Sequence, residues 1–135
     1  MHLLILIVDD DQDDIEILRD GVREVETNAQ CIYAHNGEDA LHLLHSIVHG
    51  MPDVIFLDLN MPRMDGKKFL EAIKKDEKLS HIPVVIYTTS KLEKDKEETK
   101  ALGAAHFISK PTTISELNKA LAKAFAVCFK NEIKR

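Results

Sequence analysis

The run Leu3-Leu-Ile-Leu-Ile-Val8 leads directly into Asp9-Asp-Asp11. Six apolar residues without alternation describe a strand that must be covered on both faces, as in a parallel sheet held between two layers of helices. The three carboxylates that follow end the run abruptly. A secretory leader would need a basic start, a longer apolar stretch and a small-residue cleavage site. No apolar run approaches the ~20 residues that span a bilayer. A cytoplasmic protein with no membrane role is therefore expected.

Outward from this strand, apolar runs alternate with helix-period segments to the far end of the chain. Ile15, Leu18, Val22 and Val25 recur at helical spacing, and a second strand surrounds Cys31, Ile32 and Tyr33. Asn36 is placed to cap a helix whose stripe is Ala40, Leu41, Leu44 and Val48. Val54–Leu57 forms a third strand, and a turn-rich stretch from Asn60 to Gly66 precedes a helix carrying Phe69, Leu70 and Ile73. Pro83 opens a fourth strand over Val84–Tyr87. The charged segment Leu92–Leu102 reads as a solvated helix stopped by Gly103. Phe107 and Ile108 mark a short fifth strand. Thr113-Ile-Ser-Glu116 matches a capping box at the start of a last helix, which buries Leu117, Leu121, Phe125 and Cys128.

Five βα units in succession predict a doubly wound α/β fold with a five-stranded parallel sheet and helices on both faces. Residues 1–135 are expected to form a single domain, with a core over about residues 3–128 and no output domain. The 135 residues are 44% hydrophobic and 30% charged, which excludes wholesale disorder. A net charge of -5 argues against a nucleic-acid module, which needs a basic face. Cys31 and Cys128 are too few for a disulfide framework and suit a reduced protein.

The chemistry is expected where the strands end. The first ends in Asp9 and Asp10, the third in Asp58, the fourth in Thr88 and the fifth in Lys110. In a parallel sheet these positions share the carboxyl edge, where open α/β folds bind ligands. Any one of these aspartates could be only a turn former or a helix cap; their coincidence on one edge is the stronger signal. Three carboxylates about 5 Å apart repel by roughly 3 kcal/mol per pair at an effective dielectric of 20. A divalent cation and the Lys110 ammonium together would neutralise them. Mg²⁺ suits an all-oxygen set, and zinc does not, because no His/Cys set lies at the edge.

Four segments carry a resemblance to a known family. They are Ile5-Leu-Ile-Val-Asp-Asp10, Asp53-Val-Ile-Phe-Leu-Asp-Leu-Asn-Met-Pro-Arg-Met-Asp-Gly66, Pro83-Val-Val-Ile-Tyr-Thr-Thr-Ser90 and Gly103-Ala-Ala-His-Phe-Ile-Ser-Lys-Pro111. The chain resembles the receiver domain of bacterial two-component response regulators over nearly its whole length. It looks most like the stand-alone, chemotaxis-regulator-like or phytochrome-partner-like type. The resemblance implies the flavodoxin-like (βα)5 fold with strand order 2-1-3-4-5. It implies that Asp58 accepts a phosphoryl group from a phosphohistidine, on a sensor histidine kinase or a histidine phosphotransfer protein. It further implies that Asp9, Asp10, Asp58 and the backbone carbonyl of Asn60 hold Mg²⁺, with Mn²⁺ able to substitute. Thr88 and Lys110 would bind the phosphoryl oxygens, and Lys110-Pro111 would be joined by a cis peptide. Thr88 and Phe107 would form the switch, with Phe107 standing where the family often has Tyr. Output to a downstream protein target would be read from the fourth helix, fifth strand and fifth helix of a monomer or weak dimer. The chain would catalyse only its own phosphorylation and dephosphorylation.

Rival patterns fail on named residues. An EF-hand beginning at Asp9 needs Gly and Glu where Asp14 and Asp20 stand. A dinucleotide site needs glycines that Val8-Asp-Asp-Asp11 lacks. A dehalogenase-like phosphatase would have a second Asp where Asn60 stands. A receiver-shaped interaction module indifferent to phosphate is the alternative that the sequence leaves open. His42, His45 and His49 could share a helix face, and a solvated face explains them without a metal.

Overall fold

Five strands lie parallel in the order β2-β1-β3-β4-β5: β1 Leu4–Val8, β2 Gln30–Ala34, β3 Val54–Leu57, β4 Val84–Thr88 and β5 His106–Ser109. Between and after them run α1 Gln12–Val25, α2 Gly37–Ser46, α3 Gly66–Lys75, α4 Glu93–Ala101 and α5 Ile114–Ile133. The computed structural model describes residues 2–46 and 50–133. Val48, expected in the α2 stripe, and His49 lie outside the described residues.

The unbroken apolar run of β1 is divided between two cores. Ile5 and Ile7 join Val54, Phe56, Val85 and Tyr87 beneath α1 and α5, while Leu6 and Val8 join Ile55, Leu57, Val84 and Ile86 beneath α2 and α3. Burying each such side chain stabilises the fold by about 1.5–3 kcal/mol, so the central strands are the least movable part of the molecule. Leu117, Leu121 and Phe125 of α5 pack as the sequence predicts, and Cys128 is half-buried beside them.

Polar residues fix the helix starts. Asp11 Oδ1 accepts from the amides of Asp13 and Asp14, Asn36 Oδ1 from Asp39, Asp65 Oδ1 from Lys68, and Thr113 Oγ1 from Glu116. Gly103 ends the α4 segment with φ +104°, a conformation that costs a Cβ-bearing residue. The charged α4 helix is less free than its composition suggests. Lys67, at the start of α3, donates to Asp95 and Glu98, which pins the inner side of α4.

One expectation is overturned. The Lys110–Pro111 peptide is trans, because no cis peptide occurs among the described residues. The Lys110 amide donates to the Thr88 carbonyl at 2.7 Å, so the β5 ladder carries the chain straight past its last residue. The long lysine stem then reaches the sheet edge by itself, and the ordinary trans preference of about 0.5–1 kcal/mol is kept.

Gly66 fixes the loop behind the site. A Cβ there would fall on the Asp58 carbonyl oxygen and 2.7 Å from Leu59 Cα, and the Gly66 amide donates to the Leu59 carbonyl. Both obstacles are backbone, so no side-chain rotation relieves them. Gly66→Ala should therefore destabilise the fold by about 1–3 kcal/mol, the usual cost of overpacking. A lowered urea midpoint with unchanged slope would show this; an unchanged midpoint would contradict the close approach.

Candidate functional site

Strand register assembles the carboxyl edge. Val8 is level with Leu57, Leu57 with Ile86, and Tyr87 with Ile108, so Asp9, Asp58 and Tyr87 come next in one row. Asp9 is 1% exposed and Asp58 6% exposed, whereas Asp10 is open to solvent. One carboxylate oxygen from each of Asp9, Asp10 and Asp58 lies within 4.8 Å of the other two. Among the described residues this is the only cluster of three or more potential ligands from His, Cys, Asp and Glu side chains. His42 and His45 are exposed and belong to no such cluster.

Lys110 enters from the end of β5. Its ammonium donates to Asp9 Oδ2 at 2.9 Å and to Asp14 Oδ2 at 2.8 Å, and stands 3.9 Å from Asp58 Oδ2. The Tyr87 ring lies beneath it, 5.4 Å from the nitrogen to the ring centroid. The pairing with Asp14 was not anticipated. Its signal was an acidic residue at the first position of a stripe that continues through Leu18 and Val22 of α1.

The electrostatic balance of the edge is uneven. Burial raises the Asp58 carboxyl above its ordinary value, against the pull of the Lys110 charge, the Thr88 hydroxyl and the Asn60 and Leu59 amides. Burial raises Asp9 too, against the Asp11 amide and Lys110. Burial alone would lower Lys110, but hydrogen bonds to Asp14 and Asp9 and the charge of Asp58 hold it above the ordinary lysine value. Asp58 Oδ1 is buried with no hydrogen-bond partner. A buried carboxylate oxygen left unpaired is costly unless a ligand completes it. The donors are all hard oxygens in carboxylate form, so the residues fit Mg²⁺ or Mn²⁺.

Thr88 is fully buried at the end of β4, and its Oγ1 accepts from the Ser90 amide at 3.4 Å. Asn60 is exposed and borders a cavity of about 360 Å³ with Leu59, Asp65, Lys67 and Asp95. Phe107 is not part of the carboxylate cluster. It is half-buried against the α2/α3 core, with the Lys96 ammonium 5.9 Å from its ring centroid.

Fold and edge together place the chain among signalling domains switched by phosphoryl transfer. More narrowly, it belongs to the response regulator receiver domain family, whose sequence profile matches residues 5–122. It is 29% identical over 110 residues to the polar-differentiation response regulator DivK of Brucella anthropi, covering 82% of this chain and 85% of DivK. The phosphorylated cyanobacterial phytochrome response regulator RcpA superposes with a TM-score of 0.82 at 28% identity, over 93% of each chain. The Mn²⁺-bound response regulator Rcp1 gives 0.79 at 27%, over 92% of each. The protein is a phosphorylation-dependent switch of two-component signalling. No helix among the described residues is long and apolar enough to cross a membrane.

The uneven balance has a measurable cost. With a carboxyl raised above 3.8 in the fold, the folded state binds the proton more tightly than the unfolded chain. Stability therefore falls as pH rises through the interval between 3.8 and the raised value, and the cost is complete above it. Without divalent ions, Asp58→Asn should therefore stabilise the fold near neutral pH. That gain should shrink as pH is lowered toward 4. A gain of the same size at both ends of a urea-unfolding series would contradict it.

Proposed function

We propose that Asp58 is the phosphoryl acceptor, taking its group from a phosphohistidine on a sensor histidine kinase or histidine phosphotransfer protein. The observation that carries this is the buried, unpaired Asp58 Oδ1, set beside two further carboxylates and a half-buried lysine. An Asp58 oxygen attacks phosphorus and forms a P–O bond. The P–N bond breaks, its electron pair returns to the imidazole nitrogen, and an acyl phosphate remains on Asp58. Such a reaction asks mainly for positioning and charge neutralisation. Mg²⁺, or Mn²⁺ in its place, would be held by Asp9, Asp10, Asp58 and the Asn60 carbonyl, and would supply positive charge to the phosphoryl oxygens. Lys110 would supply a further positive charge, and the Thr88 hydroxyl would donate to a phosphoryl oxygen. The chain acts on no outside substrate, works as one receiver unit in the cytoplasm, and signals by changing the surface it offers a downstream protein.

Incubation with acetyl phosphate and Mg²⁺ should add one phosphoryl group by intact mass, and none to Asp58→Asn. Equal labelling of the variant would remove Asp58 from the role. Failure of the wild type to label would favour the phosphate-indifferent module.

The same reading places the output on α4, β5 and α5. Ile86 is level with Phe107 across the ladder, two positions from the site at Thr88. Phe107 lines a surface cavity of about 320 Å³ with Lys96, Thr99, Lys100 and His106, so its ring has room to move. Drawing Thr88 toward a phosphoryl oxygen frees space along β4 into which that ring turns. NMR shifts on adding beryllofluoride should spread from Asp58 through Thr88 to Phe107 and α4. Shifts confined to the loops around Asp9 and Asp58 would rule this switch out.

A further inference from the structure

An ammonium carries three N–H donors. Lys110 spends two of them on Asp9 Oδ2 at 2.9 Å and Asp14 Oδ2 at 2.8 Å, while Asp58 Oδ2 stays 3.9 Å away, outside hydrogen-bond range. The side chains of Lys110 and Asp58 are 10% and 7% exposed, so solvent screens their attraction poorly. An unrestrained lysine would close that gap. Asp9 cannot prevent closure, since it belongs to the same cluster as Asp58. The opposing pull comes from Asp14, on the first turn of α1, whose amide is fixed by the Asp11 cap.

We propose that Asp14 is a positioning residue that holds the Lys110 ammonium off the Asp58 carboxylate, at the stand-off where it meets an oxygen of the incoming phosphoryl group. The inference rests on Asp58 being the acceptor. Its logic is that of differential binding: a contact made only as the phosphoryl group arrives speeds transfer, whereas a resting Lys110–Asp58 pair would stabilise the ground state and occupy the nucleophile.

The test compares the wild type, Asp14→Asn and Asp14→Glu, each also in a Lys110→Met background. Phosphoramidate is the donor, Mg²⁺ is saturating for each variant, and intact mass gives the rate. Asp14→Asn should label about tenfold more slowly, and Asp14→Glu should recover most of the loss. With Lys110→Met, Asp14→Asn should change the rate less than twofold. A purely structural role for Asp14 would persist in that background. The carboxyl ¹³C resonance of Asp58, read without Mg²⁺, should shift in Asp14→Asn as the ammonium closes, and should stay near the wild-type position in Asp14→Glu. Asp14→Ser serves as the second variant should the amide disturb α1. Equal rates for wild type and Asp14→Asn, or equal slowing with and without Lys110, overturn the role of Asp14 alone. A wild type that takes up no phosphoryl group overturns the acceptor assignment and this inference together.

Discussion

Mutual repulsion among carboxylates at the edge of a parallel sheet is the constraint around which this molecule is arranged. The register that makes β1 and β3 neighbours also makes Asp9 and Asp58 neighbours, and no one-residue shift of either strand can separate them without exchanging the side chains that fill the two cores. One half-buried lysine offsets part of that charge, and the rest is left for a dication to offset. The rigidity comes from the two apolar cores, and the uncompensated charge from the edge. A site of this kind is a standing cost to stability that function requires.

Much of this was legible along the chain. Continuous apolar runs marked strands buried on both faces, and the residue after each run named the edge. Asn36 and Thr113 announced their helices because capping is a local interaction between residues three apart. What stayed hidden depended on distance in space. Asp14 looked like any acidic residue in a first helical turn, and its bond to Lys110 spans 96 positions. The Lys67 bridge to Asp95 and Glu98 was invisible for the same reason, so α4 read as wholly solvated. Gly66 belonged to a recognisable segment, but its reason, the backbone of Asp58 and Leu59 pressed against its Cα, needs coordinates. The trans Lys110–Pro111 bond went against family expectation, and the two isomers of an X–Pro bond lie close enough in energy that the residue pair alone did not decide between them.

Attachment of α4 differs in kind from that of the other helices. Only Thr99 of α4 is buried, and the rest of its hold is polar. The Ser90 amide donates to Thr88, the Ser90 hydroxyl to Asp95, and Asp95 accepts from Lys67. These bonds begin at the site and end on α3. Partly exposed polar bonds exchange with water at small net cost, while moving α1 or α5 would expose aromatic and branched side chains. Of the helices, α4 is the one held with the least buried apolar surface.

The bond from Lys110 to Asp9 joins residues 101 positions apart in a chain of 135. A ribosome releases Asp9, Asp14 and Asp58 well before Lys110, the cation set among them. The same delay applies to α5, whose Leu117, Leu121 and Phe125 complete the core over α1. A nascent chain ending at β4 therefore carries an uncovered apolar face and an uncompensated carboxylate edge together. Neither defect can be repaired by what has already emerged. Such a topology makes acquisition of the native state late, and a prematurely terminated chain, with its apolar surface still exposed, is left for the cell's quality control to remove.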